Sequence, residues 1–372
     1  MDTFVAQRQQ APRTHLVVGN EAGDLDSLAC AIAFAYLAQA NDSAPWVPIV
    51  QTPRADLVLR PENLRVLAHC GIDPAHLCCV DELPKLLPAS TCVVLVDHNR
   101  ATGPFRDANV VRIIDHHNDE HAHGEALRTI YAPGDAGSCA SVLATHMLER
   151  SRGVDRTVAD LLYSAILVDT IGLSARAGKA QACDLAARDL LAPASSWARS
   201  DAAELWFDTL QHTKNDVSHL STSEKLRRDY KAFECAARNA PRTWHIGTAS
   251  TTEPLSAWSP TPHFFEDLDA FARARSLHAL VVLTSYEIPG GEHATLAREV
   301  LFYVPATGIA SGAPALAEAL AATHTHFVDL VPLDVATPKH GWARAWTQRD
   351  VRASRKQLVP ALRDVCASVE QA

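Results

Sequence analysis

The stretch His15–Tyr36, "HLVVGNEAGDLDSLACAIAFAY", joins two apolar runs through a loop of small and acidic residues. "HLVV" reads as a strand. The run from Ser27 to Ala40 reads as a helix, apolar on most of its faces. Between them stand two carboxylates, Asp24 and Asp26, two residues apart. Like charges this close repel, and the end of a buried strand is a poor place for them. Something positive is expected at that loop. Taken alone, a D-x-D pair is also what a helix start looks like, with Asp26 as the cap before Ser27.

Outward from this stretch, the pattern repeats. "WVPIVQ", "TCVVLVDHN" and "NVVRIIDHH" are further strands, and "PENLRVLAHCGI" is a helix closed by Gly71. Three helical stretches follow: "GSCASVLATHMLERS", "RTVADLLYSAILVDTIGL" and "KAQACDLAARDLLA". The strands are near-continuous apolar runs, the mark of a parallel sheet with helices on both faces. An α/β domain over residues 1–195 follows. "LAPASSWARSDAAE", Leu191–Glu204, has the composition of a linker. Beyond it, "LWFDTLQHTKND" and "STSEKLRRDYKAFECAAR" read as helices, before the strand candidates "TWHIGTAS", "LHALVVLTSY", "ATLAREVLFYV" and "HFVDLVPL". "PHFFEDLDAFARARS" and "APALAEALAATH" are helices among them, making a smaller α+β domain over residues 205–372.

Composition agrees. A chain of 372 residues has two domains as its natural division, and 47% hydrophobic with 21% charged residues is ordinary for a globular protein. The net charge of -9 argues against a general nucleic-acid binder. It does not exclude a polyanionic substrate, because bound metal ions invert the local field. No apolar run reaches the roughly 20 residues that a bilayer needs, so no membrane association is expected. "MDTFVAQRQQAPRTH" lacks the apolar core of a secretory signal. Nine cysteines without regular spacing read as reduced thiols, which fits a cytoplasmic location. A monomer is the default expectation.

The chemistry lies at the strand ends. The first strand ends at Asp24 and Asp26, the third at Asp97, and the fourth at Asp115, His116 and His117. In open α/β sheets ligands bind beyond the carboxyl ends of the strands. Asp24, Asp26, Asp97, His116 and His117 should therefore converge, with Asp169 reaching the same point from its helix. An unpaired carboxylate in so apolar a helix costs on the order of several kcal/mol. Acids gathered in one space stay ionised only with compensation, and two divalent cations supply it. Oxygen ligands with one or two imidazoles suit Mg²⁺ or Mn²⁺, with Co²⁺ as a further candidate. Paired cations about 3.5–4 Å apart are a recurring device for in-line attack at phosphorus.

"VVGNEAGDLDS", "VLVDHN", "RIIDHH" and "AILVDT", in this order, resemble the four motifs of the DHH phosphoesterase superfamily, which includes family II inorganic pyrophosphatases, fungal-type exopolyphosphatases and the prune proteins. "LRRDYKAF" is similar to the D-x-K motif of the DHH-associated C-terminal domain, and "ASRKQLVPAL" to its terminal S-R-K signature. The resemblance implies an active site in the cleft between the two domains. It implies Asp24 on one metal and Asp26 on the other, Asp97 bridging both, and His116 and Asp169 completing the ligands. His117 would donate to a phosphoryl oxygen, and Lys231, Arg355 and Lys356 would hold phosphates. A water bridging the metals would be the nucleophile. His117, Asp97 and Asn20 are the candidate catalytic positions.

Asn20 marks a departure. Family II pyrophosphatases carry His four residues before the first aspartate of D-x-D, whereas the exopolyphosphatase and prune branches resemble this chain in carrying "GN" there. "IVQTPRADLVLRPE" also resembles those branches, and Arg54 and Arg60 read either as extra phosphate contacts or as structural salt-bridge partners. Animal prune proteins replace the second histidine of D-H-H by arginine; this chain keeps both. The resemblance thus implies an exopolyphosphatase acting on linear polyphosphate or short phosphate anhydrides. Alternatives are a pyrophosphatase, a prune-like cyclic-nucleotide phosphodiesterase and, in another class, a non-catalytic scaffold. His121, His123, His324 and His326 read as surface residues.

Overall fold

The structure is a computed structural model that describes residues 1–39, 44–148, 153–236, 243–288, 295–309, 312–323 and 329–368. His324 and His326 lie outside these residues. The chain forms two compact units, Met1–Lys214 and Asn215–Ala372.

The first unit holds strands β1 (His15–Val18), β2 (Val47–Val50), β3 (Cys78–Cys79), β4 (Cys92–Val96), β5 (Asn109–Asp115) and β6 (Leu127–Ile130). Its helices are α1 (Asp2–Gln9), α2 (Leu25–Ala38), α3 (Pro61–His69), α4 (Cys139–Leu148), α5 (Arg156–Asp169), α6 (Ala182–Leu191) and α7 (Ser200–Asn215). The strands form one parallel sheet in the order β3-β2-β1-β4-β5-β6. The order reverses between β1 and β4. Connections leave those two strands toward opposite faces, which opens a crevice at their carboxyl ends.

The two faces are covered differently. Val17, Val94, Val96 and Ile114 pack under the helices, against Ala29, Ile32, Leu143, Leu162 and Ile166. Leu16, Val18, Ile49, Val93 and Leu95 face the other way, against Leu87, Ala101 and Phe105. Helices on both faces were expected, yet the second face is covered by loops and a 3₁₀ turn at Gly103–Phe105. The connections there carry Pro84, Pro88 and Gly103-Pro104, which interrupt any helix. β3 and β6 are additional to the four expected strands: β3 has only two residues, and β6, "LRTI", is a half-exposed edge strand without an apolar run.

The segment Leu191–Glu204 is not a free linker. Ser196 donates from its backbone N–H to Asp160 Oδ1 (2.7 Å) and from its hydroxyl to Oδ2 (2.6 Å). Trp197 stacks on Trp206 with ring centroids 4.6 Å apart. Trp206, Ala203 and Leu210 of α7 join the first unit's core, so the division falls after Lys214 rather than near residues 195–205. Composition missed this because the segment is made mostly of small and polar residues, with Trp197 as its one aromatic.

The second unit contains α8 (Thr222–Arg228), β7 (Tyr230–Ala236), β8 (Thr243–Thr251), α9 (Leu255–Trp258), α10 (Phe264–Ala274), β9 (Ala279–Ile288), β10 (Thr295–Val304), α11 (Ala306–Ile309), α12 (Ala313–Thr323), β11 (Leu330–Leu333), β12 (Trp342–Gln348) and α13 (Arg355–Ser368). Its mixed sheet runs β11-β12-β10-β9-β8-β7, with only β8 and β9 parallel among these neighbours. α8, α9 and α10 contribute to one core and α12 and α13 to the other. "YKAFECA" is strand β7, not the end of a helix: Asp229 stops α8, and seven residues pair with β8. Tertiary pairing overrides the local helical preference of this alternating segment.

Trp206→Ala should lower the unfolding free energy by about 3–5 kcal/mol in urea melts, through the cavity it leaves. Leu205→Ala, at a side chain 71% exposed, should stay within about 0.5 kcal/mol.

Candidate functional site

Asp97 is the centre of the first unit's site. It follows β4 at the order reversal, is 2% exposed, and has φ of 65°. A non-glycine residue in the left-handed region is uncommon and is tolerated where surroundings hold it. The holding groups come from the loop after β1. Asn20 Nδ2 (2.6 Å) and Ser27 Oγ (2.7 Å) both donate to Asp97 Oδ2. The backbone N–H of Asn20 in turn donates to Ser27 Oγ at 2.9 Å. Asn20 also accepts from the Ala22 N–H at 2.9 Å, closing the turn. It is both the turn residue and a brace for Asp97.

Asp97 Oδ1 is different. It is buried without a hydrogen-bond donor among the described residues. His116 Nε2 lies 3.2 Å from it and His117 Nδ1 3.7 Å. Ligand atoms of Asp97, His116 and His117 all fall within 4.8 Å of one another. Buried polar atoms are nearly always satisfied, and this oxygen, with the imidazoles beside it as its neighbours, is of the type that ligates a cation.

The other acids crowd the same point. Asp24 caps α2, its Oδ1 accepting from the Ser27 N–H at 3.1 Å. The helix cap is therefore Asp24, not Asp26. Asp26 is buried in the first turn of α2 and is held from outside it. Ser138 Oγ (2.9 Å), Cys139 N–H (2.6 Å) and Ala140 N–H (2.8 Å), at the start of α4, all donate to its carboxylate. Three donors from one helix start thus fix its position. Asp169 is the last residue of α5 and stands close enough for Asp26, Asp24 and Asp97 to act on its protonation.

Charge regulation follows. Burial, then the Asp26 carboxylate, push Asp97 up to about 7 although the His116 ring pulls it down. Burial and the charges of Asp26 and Asp24 hold Asp169 well above the usual carboxylate value. For His116, burial opposes the charged ring, but Asp97 and Asp26 outweigh it and raise it to about 9. Protons thus do part of the compensation that metal would do. Carboxylates with one imidazole are a donor set for a divalent cation.

Asp115, the acid of D-H-H, is braced by Asn99, a residue of "VLVDHN" to which the motif reading gave no role. His117 Nδ1 is 2.8 Å from Asp115 Oδ1, and Asn99 Nδ2 donates to Asp115 Oδ2 at 2.6 Å. Burial raises Asp115, yet these two hydrogen bonds outweigh it and leave the carboxyl below its ordinary value. Asp115 raises His117 in turn. The spacing of Asn99 from Asp97, two residues on in "DHN", was the available signal.

The two arginines of "IVQTPRADLVLRPE" differ. Arg54 has structural partners: its guanidinium pairs with Glu82 and donates to the carbonyls of Pro74 and Leu77. Three of its five N–H donors are thereby used within the fold. Arg60 Nη2 donates to the Ala22 carbonyl at 2.9 Å, bracing the acidic loop.

In the second unit, Lys231, Arg355 and Lys356 line one cavity of about 700 Å³. The D-x-K and S-R-K motifs meet directly: Arg355 Nη2 pairs with Asp229 Oδ2 at 2.5 Å and donates to Ser250 Oγ at 2.6 Å. "SRKQ" is also a helix start. Ser354 N–H donates to Gln357 Oε1 (2.8 Å), which leaves Arg355 and Lys356 in the first turn of α13.

The model of the DHH family, N-terminal domain, matches residues 14–166, and the DHHA2 domain model matches residues 208–365. The chain carries a DHH family N-terminal domain followed by a DHHA2 domain. Exopolyphosphatase PRUNE1 of Bos taurus is 28% identical over 379 residues, covering 98% of this chain and 78% of the relative. A Schizosaccharomyces pombe protein described as an exopolyphosphatase is 28% identical over 378 residues, covering 95% of this chain and 91% of its own. A Methanococcus jannaschii crystal structure, described as a family II inorganic pyrophosphatase, shares the fold with a TM-score of 0.56 at 20% identity, covering 94% of this chain and 98% of that one. The metal-binding candidates fall in the DHH half and the basic cavity in the DHHA2 half. Among the described residues no helix is long and apolar enough to cross a membrane.

The metal-free protein should lose stability as pH rises. Asp97 titrates at about 7 in the fold against an ordinary 3.8, so its ionisation opposes folding increasingly between those values. His116 titrates at about 9 against 6.5, so the stability it adds is complete below 6.5 and lost as pH rises through 9. Both slopes have the same sign. Scanning calorimetry in chelator should give a melting temperature that falls from pH 6 to pH 9, and added Mn²⁺ should raise it more at pH 8 than at pH 6.

Proposed function

We propose that this chain is a metal-dependent hydrolase of phosphoric anhydrides, specifically an exopolyphosphatase that releases terminal orthophosphate from linear inorganic polyphosphate. The observation that carries the reading is the buried Asp97 carboxylate, whose Oδ1 faces two imidazoles while the charges of Asp26 and Asp24 act on it. Asp24, Asp26, Asp97, His116 and Asp169 would hold two divalent cations, Mg²⁺ or Mn²⁺. Bound there, such cations supply Lewis acidity, lowering the pKa of water and neutralising phosphoryl charge.

The chain's own groups set the rest. Asn20 and Ser27 fix the Asp97 carboxylate by its Oδ2, which leaves Oδ1 as the free ligand atom. Asp115 accepts from His117 Nδ1–H and so directs the Nε2 proton outward, for donation to a phosphoryl oxygen. The exposed half of the His117 ring suits contact with a substrate. In the reaction the terminal phosphorus gains the oxygen of water, its anhydride P–O bond breaks, and the shortened chain leaves. Lys231, Arg355 and Lys356 would hold phosphates and spread the charge of the transferred group.

Two observations favour exopolyphosphatase over pyrophosphatase. Asn20 stands where pyrophosphatases carry a histidine, and its amide is committed to Asp97 and to the Ala22 N–H. The PRUNE1 and Schizosaccharomyces pombe relatives, both described as exopolyphosphatases, align over nearly the whole chain.

Phosphate release should be followed on pyrophosphate, tripolyphosphate, long polyphosphate and cyclic AMP, each with Mg²⁺, Mn²⁺ and Co²⁺. Polyphosphates should be the preferred substrates, and Asp97→Ala should lower the rate at least 10³-fold, on the order of what loss of a central charge-stabilising group costs. Preference for pyrophosphate, or wild-type release no faster than Asp97→Ala, refutes the reading.

A further inference from the structure

The cavity of the DHHA2 half contains one cation that no motif accounts for. Arg298, on β10, lines it together with Lys231, Arg355 and Lys356. The single acid among the lining residues, Asp229, is already joined to Arg355. The cavity therefore carries a surplus of positive charge in a chain whose net charge is -9.

Arg298 has a structural duty, and it is a small one. Its Nε donates to the Val351 carbonyl at 2.7 Å, bracing the loop before α13. Gln348 braces the same loop twice, through the carbonyls of Asp350 and Ala353, both at 2.6 Å. A guanidinium has five N–H donors. Among the described residues the terminal nitrogens of Arg298 meet no acceptor and no carboxylate pairs with it. Burial lowers its pKa with no acid to offset the cost. A half-buried cation left in this state is matched to an anion that arrives from outside.

The strand register places the cations in a line rather than a ring. Lys231 pairs with Thr248 on β8, and Thr248 with Val281 on β9. Arg298 pairs with Ser285, four residues further along β9. All these residues share one face of the sheet, since paired residues point the same way and alternate residues do too. Lys231 and Arg298 are three strands apart, about 14 Å laterally, with about 13 Å of offset along the strands. Arg355 and Lys356, from the first turn of α13, line the same cavity.

We propose that Arg298 is a specificity-determining residue: with Lys231, Arg355 and Lys356 it forms an extended phosphate track that takes tripolyphosphate and longer chains in preference to pyrophosphate. This rests on the polyphosphatase reading for its substrate class. A diphosphate held by Lys231 and Arg355 leaves Arg298 unused, whereas a longer chain engages it.

Direct binding tests this without turnover. Isothermal titration of the full chain in chelator, with tripolyphosphate and with pyrophosphate, should show tripolyphosphate binding about tenfold weaker in Arg298→Gln, as expected for one charged hydrogen-bonding group. Pyrophosphate binding should change by less than about twofold on the same grounds. Arg298→Lys should recover most of the loss. Ser285→Asp leaves the Val351 brace untouched and should weaken tripolyphosphate binding as well, so it decides the matter if Arg298→Gln fails to fold. Equal losses for both ligands, or undiminished tripolyphosphate binding in Arg298→Gln or Ser285→Asp, overturn the proposal. If the wild-type chain binds in the expected pattern but releases no phosphate when metal is present, the enzymatic reading falls and the track stands. If it releases phosphate but Arg298 is without effect, the reverse holds.

Discussion

The mutual repulsion of buried carboxylates at the reversal between β1 and β4 is the constraint to which the first unit is built. Asp26 and Asp97 are almost wholly buried, and each acts on the protonation of Asp169. Acids in this state destabilise a fold unless something answers their charge. The protein answers in part with its own donors. The start of α4 is aimed at Asp26, the turn after β1 at Asp97, and Asn99 at Asp115. Asp97 Oδ1 meets no donor from the turn after β1 and faces the His116 ring instead, whose Nε2 lies 3.2 Å away.

Backbone geometry serves the same end. Asp97 in the left-handed region turns the chain sharply off β4, so its side chain stays at the mouth of the crevice and meets the loop from β1. Asp115 ends β5 and is braced by Asn99 and by the N–H groups of His116 and His117. D-H-H therefore works as a unit: the acid orients one imidazole while its neighbour faces Asp97.

The second unit carries the opposite imbalance. Cations line its cavity, and one acid is spent within it. Among the described residues, acids thus prevail around Asp97 in the first unit and cations around Arg298 in the second. This charge pattern is a stronger functional statement than the fold, which hosts many chemistries.

Much of this was legible in the chain order of residues. Continuous apolar runs announced a parallel sheet, and acids directly after them announced a site at its carboxyl edge, because strand ends are close in space whenever strands are parallel neighbours. Residue types at those ends then named the chemistry of a hard cation. Other features depended on contacts between distant segments. The burial of Trp206 against the first core, the conversion of "YKAFECA" into an edge strand, and the engagement of Arg54 by Glu82 each follow from partners far away in sequence. The choice of Asp24 over Asp26 as the helix cap rested on which carboxylate α4 would claim. Local pattern determined which acids, imidazoles and cations stand at the strand ends and helix starts; only tertiary structure decided which of their donors and acceptors are committed, since a donor or acceptor is available only after the folded chain has used what it needs.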